Sequence, residues 1–190
     1  MSINYFGKYF NKQWLNFPGL IDDDFFEPIQ LLFQNKYYVS ASKLLMIFID
    51  SVGYIEYGDV AENTFVKWLS SYADLSEVGV SAEELWEFRN SILHMSNLDS
   101  RKVQAGKVKR LVFYVGTLPN DIEIDTEETK HFSLQKLIPA IAEACGKWFN
   151  SYNLDRTKIY AFVKRYDLIV SDKRMLCMDL TDKQNGYAGL

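Results

Sequence analysis

Apolar residues recur at helical intervals over most of the chain. Phe25, Phe26, Ile29, Leu32 and Phe33 repeat every three or four positions, which predicts a helix over residues 21 to 35, with Asp22, Asp23 and Asp24 suited to its N-terminus. The run Leu44 to Ile49 is apolar on all sides, so the segment Tyr37 to Val52 reads as a central helix surrounded by others. Asn63 is a fitting N-cap for a third helix to Ala73 that carries Phe65, Val66, Trp68 and Leu69. Ser81 followed by Glu84 is a capping-box signature ahead of Leu85, Phe88, Ile92 and Met95, and predicts a fourth helix to about Asn97.

The period then changes. Val108 to Val115 is β-branched and aromatic, Leu118-Pro119-Asn120-Asp121 is turn-like, and Ile122 to Ile124 follows, so residues 108–125 predict a β-hairpin inserted among helices. A fifth helix after Ser133 runs to about Tyr152 with Leu137, Ile141, Ala144, Cys145, Trp148 and Phe149 inward and Pro139 near its start. Thr157 to Tyr166 is a shorter helix, and Met175 to Leu180 a strand or an extended tail. The expected architecture is a mainly α single domain, residues 1–190: a helical core over about 20–155, the hairpin, and a C-terminal helix and tail over 156–190.

The fourth helix carries the one anomaly in this pattern. Projected at about 100° per residue, Leu85, Trp86, Phe88, Ile92 and Leu93 form one apolar arc, and Arg89 falls near its middle. Glu83, Glu87, Asn90, His94 and Asn97 form a polar stripe along its edge. A guanidinium at such a boundary pairs with a carboxylate, reaches water, or faces a cleft that receives an anion. One reading of Arg89 is a structural salt bridge to Asp50 or Glu56, and one reading of His94 is a surface histidine suited to a helix C-terminus.

Arg89, Asn90, three further residues and His94 on a helix of a helical domain resemble the Arg-x4-His signature of the HEPN superfamily (higher eukaryotes and prokaryotes nucleotide-binding). Tyr37 to Leu45 leading to Asp50 is similar to that family's long buried helix with an acidic residue near its end. The resemblance covers roughly residues 20 to 155 and is strongest from Leu85 to Asn97. It implies metal-independent RNA cleavage by a homodimer whose two motifs face one cleft, giving a 2′,3′-cyclic phosphate and a 5′-hydroxyl. His94 is then the group that moves protons, because imidazole titrates near neutrality, and Arg89 the group that stabilises charge on the phosphate. Asn90 orients the imidazole or holds a phosphate oxygen, and Asp50 pairs with Arg89 when substrate is absent. A toxin–antitoxin or phage-defence setting, with an antitoxin or regulatory protein as partner, fits the same resemblance. His94 is followed by Met95-Ser96, which departs from the His-x-Tyr continuation of one toxin-type subgroup. The alternatives are a non-catalytic HEPN-like module that binds RNA or a protein, and an unrelated helical scaffold.

Composition narrows the partners. The 190 residues are 48% hydrophobic and 15% aromatic, enough for a full core, and the net charge of −4 argues against disorder and against an overall basic nucleic-acid binder. Any polyanion site is therefore local, and Arg101, Lys102, Lys107, Lys109 and Arg110 against the single Asp99 are the candidate RNA track, or else an ordinary solvated loop. Lys164, Arg165, Lys173 and Arg174 form a weaker group, and Tyr37, Tyr38, Tyr54 and Tyr57 are either base-stacking or packing residues. His131, the only other histidine, reads as loop surface. Cys145 and Cys177 lie in apolar contexts that suggest buried thiols. There is no Gly-rich phosphate loop, no His-Glu-x-x-His pair and no Cys/His ligand set, so no cofactor or metal is expected. Apolar runs fall short of the roughly 20 residues of a membrane span and no secretory signal is visible, so a cytoplasmic location without membrane attachment is expected.

Overall fold

A computed structural model describes residues 16–95 and 100–169. Asn97, Asp99, Cys177, Lys173, Arg174 and the expected strand or tail at 175–180 lie outside the described residues. The first helical stretch begins earlier than the aspartate run. Asn16 accepts the Gly19 N–H at 3.2 Å and Pro18 occupies the first turn of α1 (Phe17–Ile21), a stronger start signal than Asp22 to Asp24. The aspartates instead fall inside a π-helical turn, π1 (Asp22–Phe26), that leads into α2 (Glu27–Gln34). Pro28 has no N–H to give to the carbonyl one turn upstream, and the wider turn lies where that bond is missing.

The central helix α3 (Tyr38–Tyr57) extends one turn beyond the expected Val52 and stops at Gly58, whose φ of 70° suits glycine. Leu45, Met46, Phe48, Ile49 and Val52 are fully buried, while Ile47 is 43% exposed. By length and composition α3 could cross a membrane; half of its apolar window is buried inside this bundle. Next comes α4 (Thr64–Tyr72), capped by Asn63, which accepts the Val66 N–H at 3.2 Å. It lies so close to α3 that a Cβ on Gly53 would sit 2.7 Å from the Thr64 carbonyl oxygen, which only glycine avoids.

The capping box forms as expected: Ser81 Oγ accepts the Glu84 N–H at 3.1 Å and Glu84 Oε2 accepts the Ser81 N–H at 2.7 Å. It opens α5 (Ala82–Asn90), which passes into a second π turn, π2 (Ser91–Met95). After the short α6 (Arg101–Gln104) the structure corrects the hairpin expected at 108–125. Strand β1 (Arg110–Tyr114) pairs in parallel with β2 (Thr129–Ser133), Arg110 opposite Thr129 and Tyr114 opposite Ser133. The turn at Pro119 does form, with the Ile122 N–H on its carbonyl, but Ile122 and Ile124 are exposed and belong to no strand. Ile124 only offers its carbonyl to the His131 N–H at 2.6 Å. His131 accordingly sits half-buried on β2, with Nδ1 3.0 Å from the Glu123 carbonyl, rather than on a surface loop.

Helix α7 (Leu134–Leu154) continues through Pro139 and buries Leu137, Ile141, Ala144, Cys145, Trp148 and Tyr152. Burial pushes the Cys145 thiol far above its ordinary value, which keeps it protonated and unreactive. Phe88 of α5 packs edge-on against Phe113 and Phe132 at centroid distances of 6.3 and 5.4 Å, so the small sheet buttresses the helix that carries Arg89. Lys130 of β2 adds an ion pair to Glu84 at 3.0 Å.

Helix α8 (Lys158–Ile169) folds back on α3. The joint is a buried carboxylate, Glu56, which accepts from Trp148 Nε1 at 2.9 Å, Tyr72 Oη at 3.0 Å, Tyr152 Oη at 3.2 Å and the Lys158 ammonium. Arg165 closes the same joint by donating to the Ile55 and Glu56 carbonyls at 2.8 and 2.6 Å. Burial pushes the Glu56 carboxyl up, but the Lys158 and Trp148 hydrogen bonds and the ammonium's charge outweigh it, and the net shift is downward. The neighbouring Tyr72 hydroxyl is pushed up to about 12, mainly by burial.

Candidate active site

Arg89 lies in the last turn of α5 with its side chain mostly buried and its guanidinium shared among three partners. Nη2 pairs with Asp50 of α3, while Nη1 lies 3.2 Å from Asn90 Oδ1 and 2.8 Å from His94 Nε2. Its Cζ lies 5.0 Å from the centroid of the Trp86 ring, and Nε is buried without a hydrogen-bond partner among the described residues. A guanidinium has only donors, so His94 Nε2 is the acceptor and the imidazole proton resides on Nδ1. The basic nitrogen is thereby aimed at the guanidinium, on an exposed rim.

The π turn makes this contact possible. In an uninterrupted α-helix, residues five apart point about 140° away from one another. In π2 the backbone bonds from i to i+5, and the widened turn swings His94 back over Arg89. Where the π turn opens, the Glu87 carbonyl accepts from both the Ser91 N–H and, at 3.0 Å, the Ser91 Oγ.

His94 and Asn90 form the rim of a cleft of about 420 Å³ lined also by Trp86, Glu87, Ser100, Arg101 and Lys102. Glu87 is the member that periodicity placed on the polar stripe beside the apolar arc; it is 7% exposed and accepts from Lys102 Nζ at 2.6 Å and Ser100 Oγ at 3.4 Å. Trp86, Glu87 and Lys102 also border a second cavity of about 510 Å³ that includes Glu62 and Lys67. Of the cationic run, Arg101 and Lys102 reach the cleft. Lys107, Lys109 and Arg110 do not line it: Lys107 is exposed, Lys109 pairs with Asp125 at 2.6 Å and Arg110 is committed to β1. Tyr38 packs on Phe33 and Tyr57 bonds Ser71, while Arg165 belongs to the Glu56 joint. Among the described residues no group of three or more His, Cys, Asp or Glu is placed to hold a metal ion.

The chain matches no family model, no curated protein and no solved structure. What the site itself defines is a mainly helical domain whose mostly buried Arg89 bonds His94, a histidine that lines a mixed-charge cleft.

Proposed function

We propose that the protein is a HEPN-type, metal-independent endoribonuclease that works as a homodimer. The observation that carries this reading is the convergence of Arg89, Asn90 and His94 at one rim, with Asp50 holding the guanidinium from the opposite helix. When the substrate phosphate draws the Arg89 guanidinium away from His94 Nε2, that nitrogen's lone pair is freed and takes the proton from the RNA 2′-hydroxyl as that oxygen attacks phosphorus. The bond from phosphorus to the 5′-oxygen breaks, and the second copy's protonated His94 returns a proton to that oxygen, leaving a cyclic phosphate and a 5′-hydroxyl. Arg89 holds the phosphate oxygens as charge collects on them, and Asn90 keeps the guanidinium and imidazole in register. One copy supplies one imidazole to this rim, and two-fold symmetry supplies the other. An antitoxin or other regulatory protein partner belongs to the same reading.

One observation favours the runner-up, a non-catalytic module: Arg89 already has Asp50, Asn90 and His94 as partners, as a purely structural arginine would. Incubation with RNA in EDTA separates the two. The nuclease yields cyclic-phosphate ends that vanish in His94→Ala and in Arg89→Ala, whereas cleavage that survives both substitutions, or is absent in all three proteins, rules it out.

A further inference from the structure

We propose that the cleft beside His94 is a guanine-selective nucleotide pocket in which Glu87 reads the base. The inference rests on the reading of this rim as an RNA-cleaving site and assigns the base that lies next to it.

At about 420 Å³ the cleft is the size of a small-molecule site, and it opens against His94, so a nucleotide seated there has its phosphate at the rim. Trp86 supplies an apolar wall. Glu87 is the unusual element, because a carboxylate whose side chain is only 9% exposed requires donors. In the free protein it receives Lys102 at 2.6 Å and, at the longer distance of 3.4 Å, Ser100. The Lys102 side chain is 57% exposed, so its ammonium can leave for water or a phosphate at little cost. Two carboxylate oxygens accept about four hydrogen bonds. Guanine alone among the four RNA bases presents two adjacent N–H donors on its Watson–Crick edge, from N1 and the 2-amino group, and matches the two oxygens together. Guanine then replaces Lys102 on Glu87, and the released ammonium joins Arg101 on the phosphate. The exchange explains why a cleft for a polyanion holds a buried carboxylate: Lys102 neutralises it until a base arrives.

The test uses the full chain and five mononucleotides, the monophosphates of guanosine, inosine, adenosine, cytidine and uridine, by titration calorimetry. Inosine lacks only the 2-amino donors, so it probes the contact without altering the protein. Guanosine monophosphate binds about tenfold more tightly than inosine monophosphate, as expected for one hydrogen bond to a charged acceptor, and Glu87→Gln abolishes that difference. Equal binding of all five, no binding of any, or a guanosine preference that Glu87→Gln retains overturns the proposal. Oligonucleotides with a single guanosine provide the second arm. Cleavage that requires His94 but ignores the guanosine overturns the pocket and leaves the nuclease reading standing. Guanosine-selective binding without cleavage overturns the nuclease reading and leaves the pocket.

Discussion

At the scale of single residues, the proposed chemistry depends on what a guanidinium can do that an ammonium cannot. Arg89 bonds Asp50 through one terminal nitrogen and spans Asn90 and His94 with the other, a planar fork that a lysine's point charge cannot reproduce. On the nuclease reading, Arg89→Lys is therefore expected to keep the charge and lose the cleavage, with the single-turnover rate on RNA falling about 100-fold or more. Glu56 gives a separate, purely structural prediction. Its folded value lies below its ordinary one, so the stability it lends is fully present above about pH 4.5 and disappears as pH falls through the folded value. Thermal melts should show Glu56→Gln less stable than the parent by about 3 kcal/mol at neutral pH, with the gap closing in acid. The Arg89 pairing with Asp50 was legible in the sequence because an arginine on an apolar arc violates its surroundings, and His94 stood out by its spacing from that arginine. Glu87 and Glu56 were not, because the cations that explain their burial, Lys102 and Lys158, lie 15 and 102 residues further along the chain.

At the scale of elements, the helices followed local signals and the sheet did not. Asn63 and the Ser81–Glu84 box cap the helices that periodicity predicts, each through bonds made within four residues. The second strand escaped because Thr129-Lys130-His131-Phe132-Ser133 has a single large apolar residue, and a parallel partner needs no adjacent turn to announce it. The π turn escaped for a different reason: a helical projection assumes a constant 100° per residue, and the stretch Ser91–Met95 departs from that value. Because Phe132 and Phe113 pack against Phe88, the sheet supports through the core the helix that carries Arg89. Phe132→Ala is expected to cost about 3–5 kcal/mol in denaturant titration and to lower cleavage at temperatures where the variant is still folded.

At the scale of the whole molecule, the nuclease reading requires two copies, and the face beside Asp50 is suited to receive one. Val39 and Ile47 are 55% and 43% exposed on α3, the helix whose Asp50 pairs with Arg89. Ile47→Glu puts a charge on that face without touching the core, so light scattering should report a dimer for the parent and a monomer for the variant, with cleavage lost in step. A monomeric parent at micromolar concentration would remove the composite site. The most direct measurement is end-group analysis of RNA incubated with the purified protein in EDTA, beside His94→Ala and Arg89→Ala. The predicted result is 2′,3′-cyclic phosphate ends produced by the parent and by neither variant; equal cleavage by all three, or ends of another kind, would contradict it.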